Sequence, residues 1–437
     1  VTQKTLKSDL PKRPLSKGAR GALAGIAGLL IFGFFLKLYR LDNPKTFYFD
    51  EVYHGFTATR FLHHDPKVFD PWAKSPEGVA YEWTHPPLSK LIMAGTMAIV
   101  GENSRGWRLG STIFSTAAIG LAGLLAVELG QSLWIALLTV FFLTFEGLTF
   151  VQGRIAMNDS YFLFFMLLTV IFYNRWRRSP NNLLYIVCTG LGLGLSLATK
   201  WTAIYVFLII AIDLIACFIS TSRFPGNKLP IKEAIAWTLI PSAIYIGSYS
   251  TLFLAGGSWD TFVELQRQMW FYHQQLTQTH PYQSVPWQWI LNLRPIWMHV
   301  DYSDPQKIGN IYNIGNSIIL LSGLFAIYWG LCKQNEKKSW ETRFLALCYF
   351  MLWLPWSLSP RIMLFYHYLP AVPFLAIFLA RWVAHLLEDP QPKLKWLGHG
   401  ILVGSILWFM LFFPHMTGIP VSPGFANSVY YFLPGWK

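Results

Sequence analysis

Apolar residues run along this chain in long blocks separated by short polar or basic stretches. Blocks of roughly 18–25 apolar residues match a helix that crosses a bilayer. Eleven can be placed: 21–38, 107–128, 132–150, 158–174, 183–199, 201–220, 234–255, 311–332, 343–359, 362–386 and 396–413. A shorter block, 87–101, has about 15 residues. Backbone groups in lipid must be satisfied internally, and these blocks are too continuous for the alternating strands of a barrel. The pattern predicts an all-α integral membrane protein. About eleven transmembrane helices are expected, with juxtamembrane helices in the first outer loop.

Lysine and arginine positions set the expected orientation. The N-terminal stretch holds Lys4, Lys7, Lys12, Arg13, Lys17 and Arg20, which predicts a cytoplasmic tail over 1–20. With 21–38 it reads as an uncleaved anchor, since no small-residue cleavage site and polar mature region follow. The loop 175–181 carries Arg175, Arg177 and Arg178 and belongs on the same side. It stays there only if 87–101 lies along the interface instead of crossing. The basic loops 221–233, 333–342 and 388–395 then also fall inside. The expected division is the tail 1–20, a transmembrane catalytic region 21–413 with outer loops 39–106 and 256–310, and an extracytoplasmic tail 414–437.

Composition agrees. The chain is 53% hydrophobic and 13% charged, where soluble proteins carry about a quarter charged residues. The net charge of +13 follows from the basic loops and tail and does not call for a nucleic acid partner. Cys188, Cys217, Cys332 and Cys348 lie inside or at the end of apolar blocks without metal-site spacing, so free thiols are expected. Trp270, Trp287, Trp289 and Trp297 suit an interfacial layer.

Ionised side chains beside a bilayer are costly unless used. Asp50 and Glu51 sit together in FYFDEVYHG, just past the first block. In the expected topology Glu82, His85, Lys90, Arg108, Arg154, Asp159, Lys200, Arg361 and His367 fall at the same outer level. Blander roles exist for each. The arginines would also serve as anchors reaching phosphate headgroups. Asp159 would also suit the positive end of a helix dipole, and His367 would also suit a packed, hydrogen-bonded position. Glu146 and Asp213 read as paired structural residues. Together, however, arginine and lysine suit a lipid phosphate, and a neighbouring carboxylate suits proton removal from an incoming hydroxyl. That set fits group transfer from a lipid-phosphate carrier, with the leaving phosphate stabilised by fixed cations. No Gly-rich phosphate loop points to a soluble nucleotide sugar.

The runs FDEVYHG, HPPLSK, QGRIAMNDSYFLFF, ATKW, HPYQSVPWQW and RIMLFYHYLP, in that order, resemble the protein O-mannosyltransferases. These belong to the multi-span glycosyltransferase superfamily called GT-C. The resemblance covers most of 45–375. It implies Asp50 as catalytic base toward an acceptor Ser or Thr, with Glu51 its motif partner. It further implies donor phosphate or sugar binding by Arg108, Arg154, Asp159, Lys200 and Arg361. Glu82, His85, His273 and His367 are candidates for acceptor binding or site shaping. The implied donor is polyprenyl-phosphate-mannose, the acceptor an exported polypeptide, and the reaction a single inverting displacement. No cofactor is implied as a requirement. A divalent metal near Asp50 and Glu51 stays open, with Glu82 and His85 as further candidate ligands. The segment 256–310 is only about 55 residues, too short for the MIR-repeat domain of eukaryotic members. The likeness is therefore to the compact bacterial type, in the plasma (inner) membrane with its active site on the extracytoplasmic face. The lipid A aminoarabinose transferases share the plan, so a lipid or glycan acceptor is the alternative. A polyprenyl-lipid transporter fits less well, because transporters show repeat symmetry and midplane charges.

Overall fold

The computed structural model describes residues 16–332 and 339–437. Most of the basic tail, 1–15, and residues 333–338 of the predicted loop 333–342 lie outside the described residues. Helix α1 (Lys17–Leu38) opens at Ser16, whose hydroxyl accepts from the Ala19 N–H at 3.1 Å. The segment 39–106 then folds into α2 (His54–Leu62) and α3 (Leu88–Val100). Helix α4 (Ser104–Glu128) starts where the Asn103 side chain accepts from the N–H groups of Arg105 and Gly106. Side-chain caps of this kind satisfy the orphan donors of a helix start.

The predicted block 132–150 breaks into α5 (Leu133–Thr144) and α6 (Gly147–Gln152). Glu146 causes the break: its carboxylate accepts from the N–H groups of Leu148 at 3.1 Å and Thr149 at 2.6 Å. It also accepts from Asn316 N–H at 3.2 Å, so it is held by backbone donors and not by a paired cation. Four helices follow near the predicted blocks: α7 (Asp159–Arg178), α8 (Leu183–Leu197), α9 (Ile204–Thr221) and α10 (Ile231–Ser248). The short α11 (Ser250–Leu254) and the helix α12 (Trp259–Gln275) lead to α13 (Pro286–Ile290).

An antiparallel pair that the apolar pattern did not reveal follows, β1 (Ile296–Asp301) with β2 (Gly309–Asn313). Its register sets Ile296 opposite Asn313 and is irregular between Trp297 and His299. The predicted block 311–332 therefore begins as a strand and becomes helix only at α14 (Ser317–Cys332). Asn316 marks the switch, its side chain accepting from Ile318 N–H at 3.1 Å. The rest is helical: α15 (Trp340–Trp353), α16 (Val372–Glu388) and α17 (Pro392–Thr417).

Among the described residues, five helical stretches are long and apolar enough to cross a membrane: Lys17–Leu38, Ser104–Glu128, Trp201–Thr221, Phe365–Glu388 and Pro392–Thr417. Shorter apolar helices lie at Leu88–Val100, Leu133–Thr144, Leu183–Leu197 and Ser317–Cys332. The stretch Phe365–Glu388, 89% buried in its apolar window, is central. Its α16 portion packs on α5, α14 and α17. Helix α1, 17% buried, is peripheral. The segments 39–106 and 256–310 meet in a separate apolar cluster. Phe61, Val68 and Phe69 from the first pack with Phe262, Leu265 and Met269 of α12 from the second. The same cluster takes in Ala94 of α3, Tyr249, and Leu252 of α11.

Candidate active site

Asp50 and Glu51 lie in one tight turn, Phe49–Val52, entered through Phe49 with a left-handed φ of 49°. The turn separates their environments. Glu51 is fully buried and accepts from Arg108 through Nε and Nη2, both at 2.7 Å. Trp107 Nε1 at 3.3 Å, the Ala156 N–H at 3.0 Å and the Tyr48 N–H at 3.4 Å also donate to it. Arg108 gives its remaining donors to the carbonyls of Leu41 (2.9 Å), Pro44 (2.7 Å) and Thr46 (3.0 Å). A guanidinium has five N–H groups, and all five are engaged. Arg108 is therefore corrected from phosphate ligand to a clamp on the chain 41–51.

Arg154 needs the same correction. Its Nη1 donates to the carbonyls of Leu36 (3.2 Å), Lys37 (3.1 Å) and Tyr39 (2.7 Å), and its Nη2 to Arg40 at 3.3 Å. These are the free carbonyls at the end of α1, where a cation is favoured. Neither Arg108 nor Arg154 lines either cavity described below.

Asp50 is half-buried and faces the opposite way. The Tyr366 hydroxyl donates to its Oδ2 at 3.5 Å. Lys200 lies over the Tyr366 ring at 5.5 Å and pairs with Asp159 Oδ1 at 2.8 Å. Asp159 begins α7, where the dipole favours an anion. Burial lifts the Asp50 carboxyl to about 7, reinforced by the charges of Asp159 and Glu82 and opposed by Lys200 and the Tyr366 hydroxyl.

Glu82 is the hub of a second group. It holds Lys90 and the Thr84 hydroxyl in close contact, His85 Nδ1 at 2.8 Å and His54 Nδ1 at 3.6 Å. Burial would raise its carboxyl, but the Lys90 charge and the His85 hydrogen bond hold it well below the usual range. Burial also pushes His85 down to about 3 and His54 down to about 4, so both are neutral near pH 7. His273 lies edge-on to His85 at 5.4 Å. Its Nε2 donates to Thr84 O at 2.9 Å, which leaves Nδ1 to accept the close contact from Arg361 Nη1. Burial and then the Arg361 charge lower His273 to about 4.

Two cavities meet here. One, of about 500 Å³, is mostly aromatic and apolar, with Trp201, Ile204, Tyr205, Trp270, Trp356 and Leu358 in its wall. The other, of about 340 Å³, contains Asp50, Tyr53, His54, Glu82, Asp159 and Tyr272. His85, Lys200, Arg361 and Tyr366 line both. Asp50, Asp159, Lys200, Arg361, Glu82, His85 and His273 thus converge on these two cavities. His367 lines the larger cavity, but its Nδ1 is tied to Leu364 and its ring lies 4.3 Å from Trp356, the packed arrangement. Tyr366 and His54 were not singled out from sequence. Both lie inside the runs RIMLFYHYLP and FDEVYHG, directly beside or near residues that were.

Glu51 and Glu82 commit their oxygens to Arg108 and Lys90. Among the described residues, no three His, Cys, Asp or Glu side chains form a set that would hold a metal ion.

The chain matches two family descriptions in succession. Residues 28–255 match "Dolichyl-phosphate-mannose-protein mannosyltransferase", and residues 258–432 match "C-terminal four TMM region of protein-O-mannosyltransferase". A polyprenol-phosphate-mannose–protein mannosyltransferase of Mycolicibacterium smegmatis is 22% identical, with 97% of this chain and 94% of that protein covered. The fold resembles the Saccharomyces cerevisiae Pmt1-Pmt2 protein O-mannosyltransferase complex bound to its sugar donor. The TM-score is 0.76 at 14% identity, over 95% of this chain and 93% of that one. It also resembles ArnT of Cupriavidus metallidurans bound to undecaprenyl phosphate, with a TM-score of 0.57 at 11% identity, over 92% and 77% of the two chains. The architecture is thus that of the GT-C membrane glycosyltransferases. This multi-pass membrane protein belongs to the dolichyl-phosphate-mannose–protein mannosyltransferase family.

Proposed function

We propose that the protein transfers mannose from a polyprenyl-phosphate carrier to Ser or Thr hydroxyls of exported polypeptides, at the extracytoplasmic face of the inner membrane. The observation that carries this reading is the wall shared by the two cavities. Lys200 and Arg361 stand between an apolar chamber suited to a lipid-linked donor and a polar chamber holding Asp50.

In this reading the carrier phosphate lies against Lys200 and Arg361. The acceptor hydroxyl enters from the Asp50 side. Its oxygen forms a bond to the sugar's anomeric carbon as the bond to the carrier phosphate breaks. Asp50 takes the hydroxyl proton, and the phosphate leaves with its charge held by the two cations. Attack from the face opposite the phosphate inverts the anomeric centre. Asp159 fixes Lys200, and His273 fixes Arg361. Neutral His54 and His85 leave Asp50 and Glu82 without a competing imidazolium.

The test is transfer of mannose from polyprenyl-phosphate-mannose to a Ser/Thr peptide by the purified chain. Asp50→Asn should lower turnover by about 10²–10⁴-fold while donor binding persists. Near-normal turnover in that variant removes Asp50 as the base. No transfer by the unaltered chain to any Ser/Thr peptide, with transfer to a lipid or glycan, replaces the acceptor.

A further inference from the structure

A third cavity, of about 350 Å³, lies between α9 and α15. It is at the far end of the helices that carry the Asp159–Lys200 pair. Helix α7 starts at Asp159 and ends at Arg178; α9 starts just after Lys200 and ends at Thr221. A helix of 20 residues, as α7 is, spans about 30 Å, roughly the hydrocarbon thickness of a bilayer. The cavity therefore opens at the opposite membrane surface from the active site.

Its lining is graded along the helices. Ile212 and Ala216 of α9, with Phe344 and Leu347 of α15, form the deep part. Ser220 and Thr221, at the end of α9, and Arg343, at the start of α15, form the mouth. The side chain of Arg343 is exposed. Arg177 joins them from α7.

Arg177 is held in place by Asp213, the one acid in the lining among the described residues. Asp213 Oδ2 accepts from Arg177 Nη1 at 2.8 Å and from the Tyr173 hydroxyl at 2.6 Å. Its Oδ1 accepts from Trp340 Nε1 at 2.7 Å. The Arg177 guanidinium also lies over the Trp340 ring at 4.5 Å. With both oxygens engaged, Asp213 acts as a brace for Arg177. Among the described residues, Arg177 and Arg343 outnumber that single acid in the lining.

We propose that this groove binds an anionic phospholipid from the leaflet opposite the active site. The headgroup phosphate sits at Arg177 and Arg343, and an acyl chain runs inward along Ile212, Ala216, Phe344 and Leu347. Basic side chains at this depth attract anionic headgroups, and the apolar floor excludes a headgroup without a tail. The site is independent of the transfer reaction.

The experiment titrates the full-length protein in detergent micelles with phosphatidylglycerol or phosphatidylcholine and counts retained lipids by native mass spectrometry. Phosphatidylglycerol should be retained at least fivefold more strongly. Arg343→Ala, at an exposed position, should weaken it about fivefold, the effect of one basic side chain at an anionic surface. Leu347→Trp should lower its retention by filling the floor. Soluble glycerol phosphate should not displace it. Equal retention of the two lipids overturns the proposal. So does unchanged retention in either variant, or displacement by glycerol phosphate alone.

Discussion

The proton affinity of Asp50 follows from what surrounds it. Burial, and then the charges of Asp159 and Glu82, disfavour its ionised form and lift the carboxyl to about 7. A base works only when ionised, so kcat/KM should rise as pH increases through about 7 and level off above it. The Tyr366 hydroxyl opposes that lift. Tyr366→Phe should therefore move the acid limb of the pH–rate profile to higher pH; a limb that stays or moves down separates Tyr366 from Asp50. The acidic pair was legible in the sequence as chemistry beside a membrane. Which member is free was not. That depends on Trp107, Arg108 and Ala156, which close around Glu51 from distant parts of the chain.

Helix ends and the buried clamp carry the next scale. Arg108 and Glu51 are both almost wholly inaccessible, at 1% and 0% exposure. Removing one member of a buried pair strands the other charge, typically at a cost of about 3–5 kcal/mol. Arg108→Ala should lower the melting temperature sharply, and adding Glu51→Ala should recover part of the loss. An Arg108→Ala protein with unaltered melting but weakened donor binding would return Arg108 to the phosphate. By contrast, Lys200→Ala or Arg361→Ala should weaken donor binding; unchanged affinity in both would remove their phosphate role. Sequence singled out the arginines but could not show which had unengaged donors. Arg154 illustrates why, since its partners are backbone carbonyls at 36, 37, 39 and 40 that no side-chain pattern encodes. The same limit applies to apolar runs. Residues 309–313 pair with a neighbouring strand while the adjoining apolar residues form α14. Short apolar segments read alike as strand or helix.

Across the whole molecule, the long apolar helices were legible because their periodicity and length are dictated by lipid. The apolar cluster that joins residues 61–69 to α12 was not, because its members come from two segments far apart in the sequence. The interfacial placement of 87–101 is testable here. Cysteines introduced at Leu88 and Ile99 should be labelled by an impermeant reagent from the same side; labelling from opposite sides makes α3 a crossing helix and reverses every later loop. The shared wall at Lys200, Arg361, His85 and Tyr366 has a further kinetic consequence. With both substrates reaching the same cations from adjoining chambers, and with Asp50 removing a proton instead of receiving the sugar, no glycosylated enzyme should accumulate. Initial rates at varied carrier and peptide concentrations should give intersecting double-reciprocal lines, the signature of a ternary complex; parallel lines would mean that some side chain carries the mannose between two half-reactions.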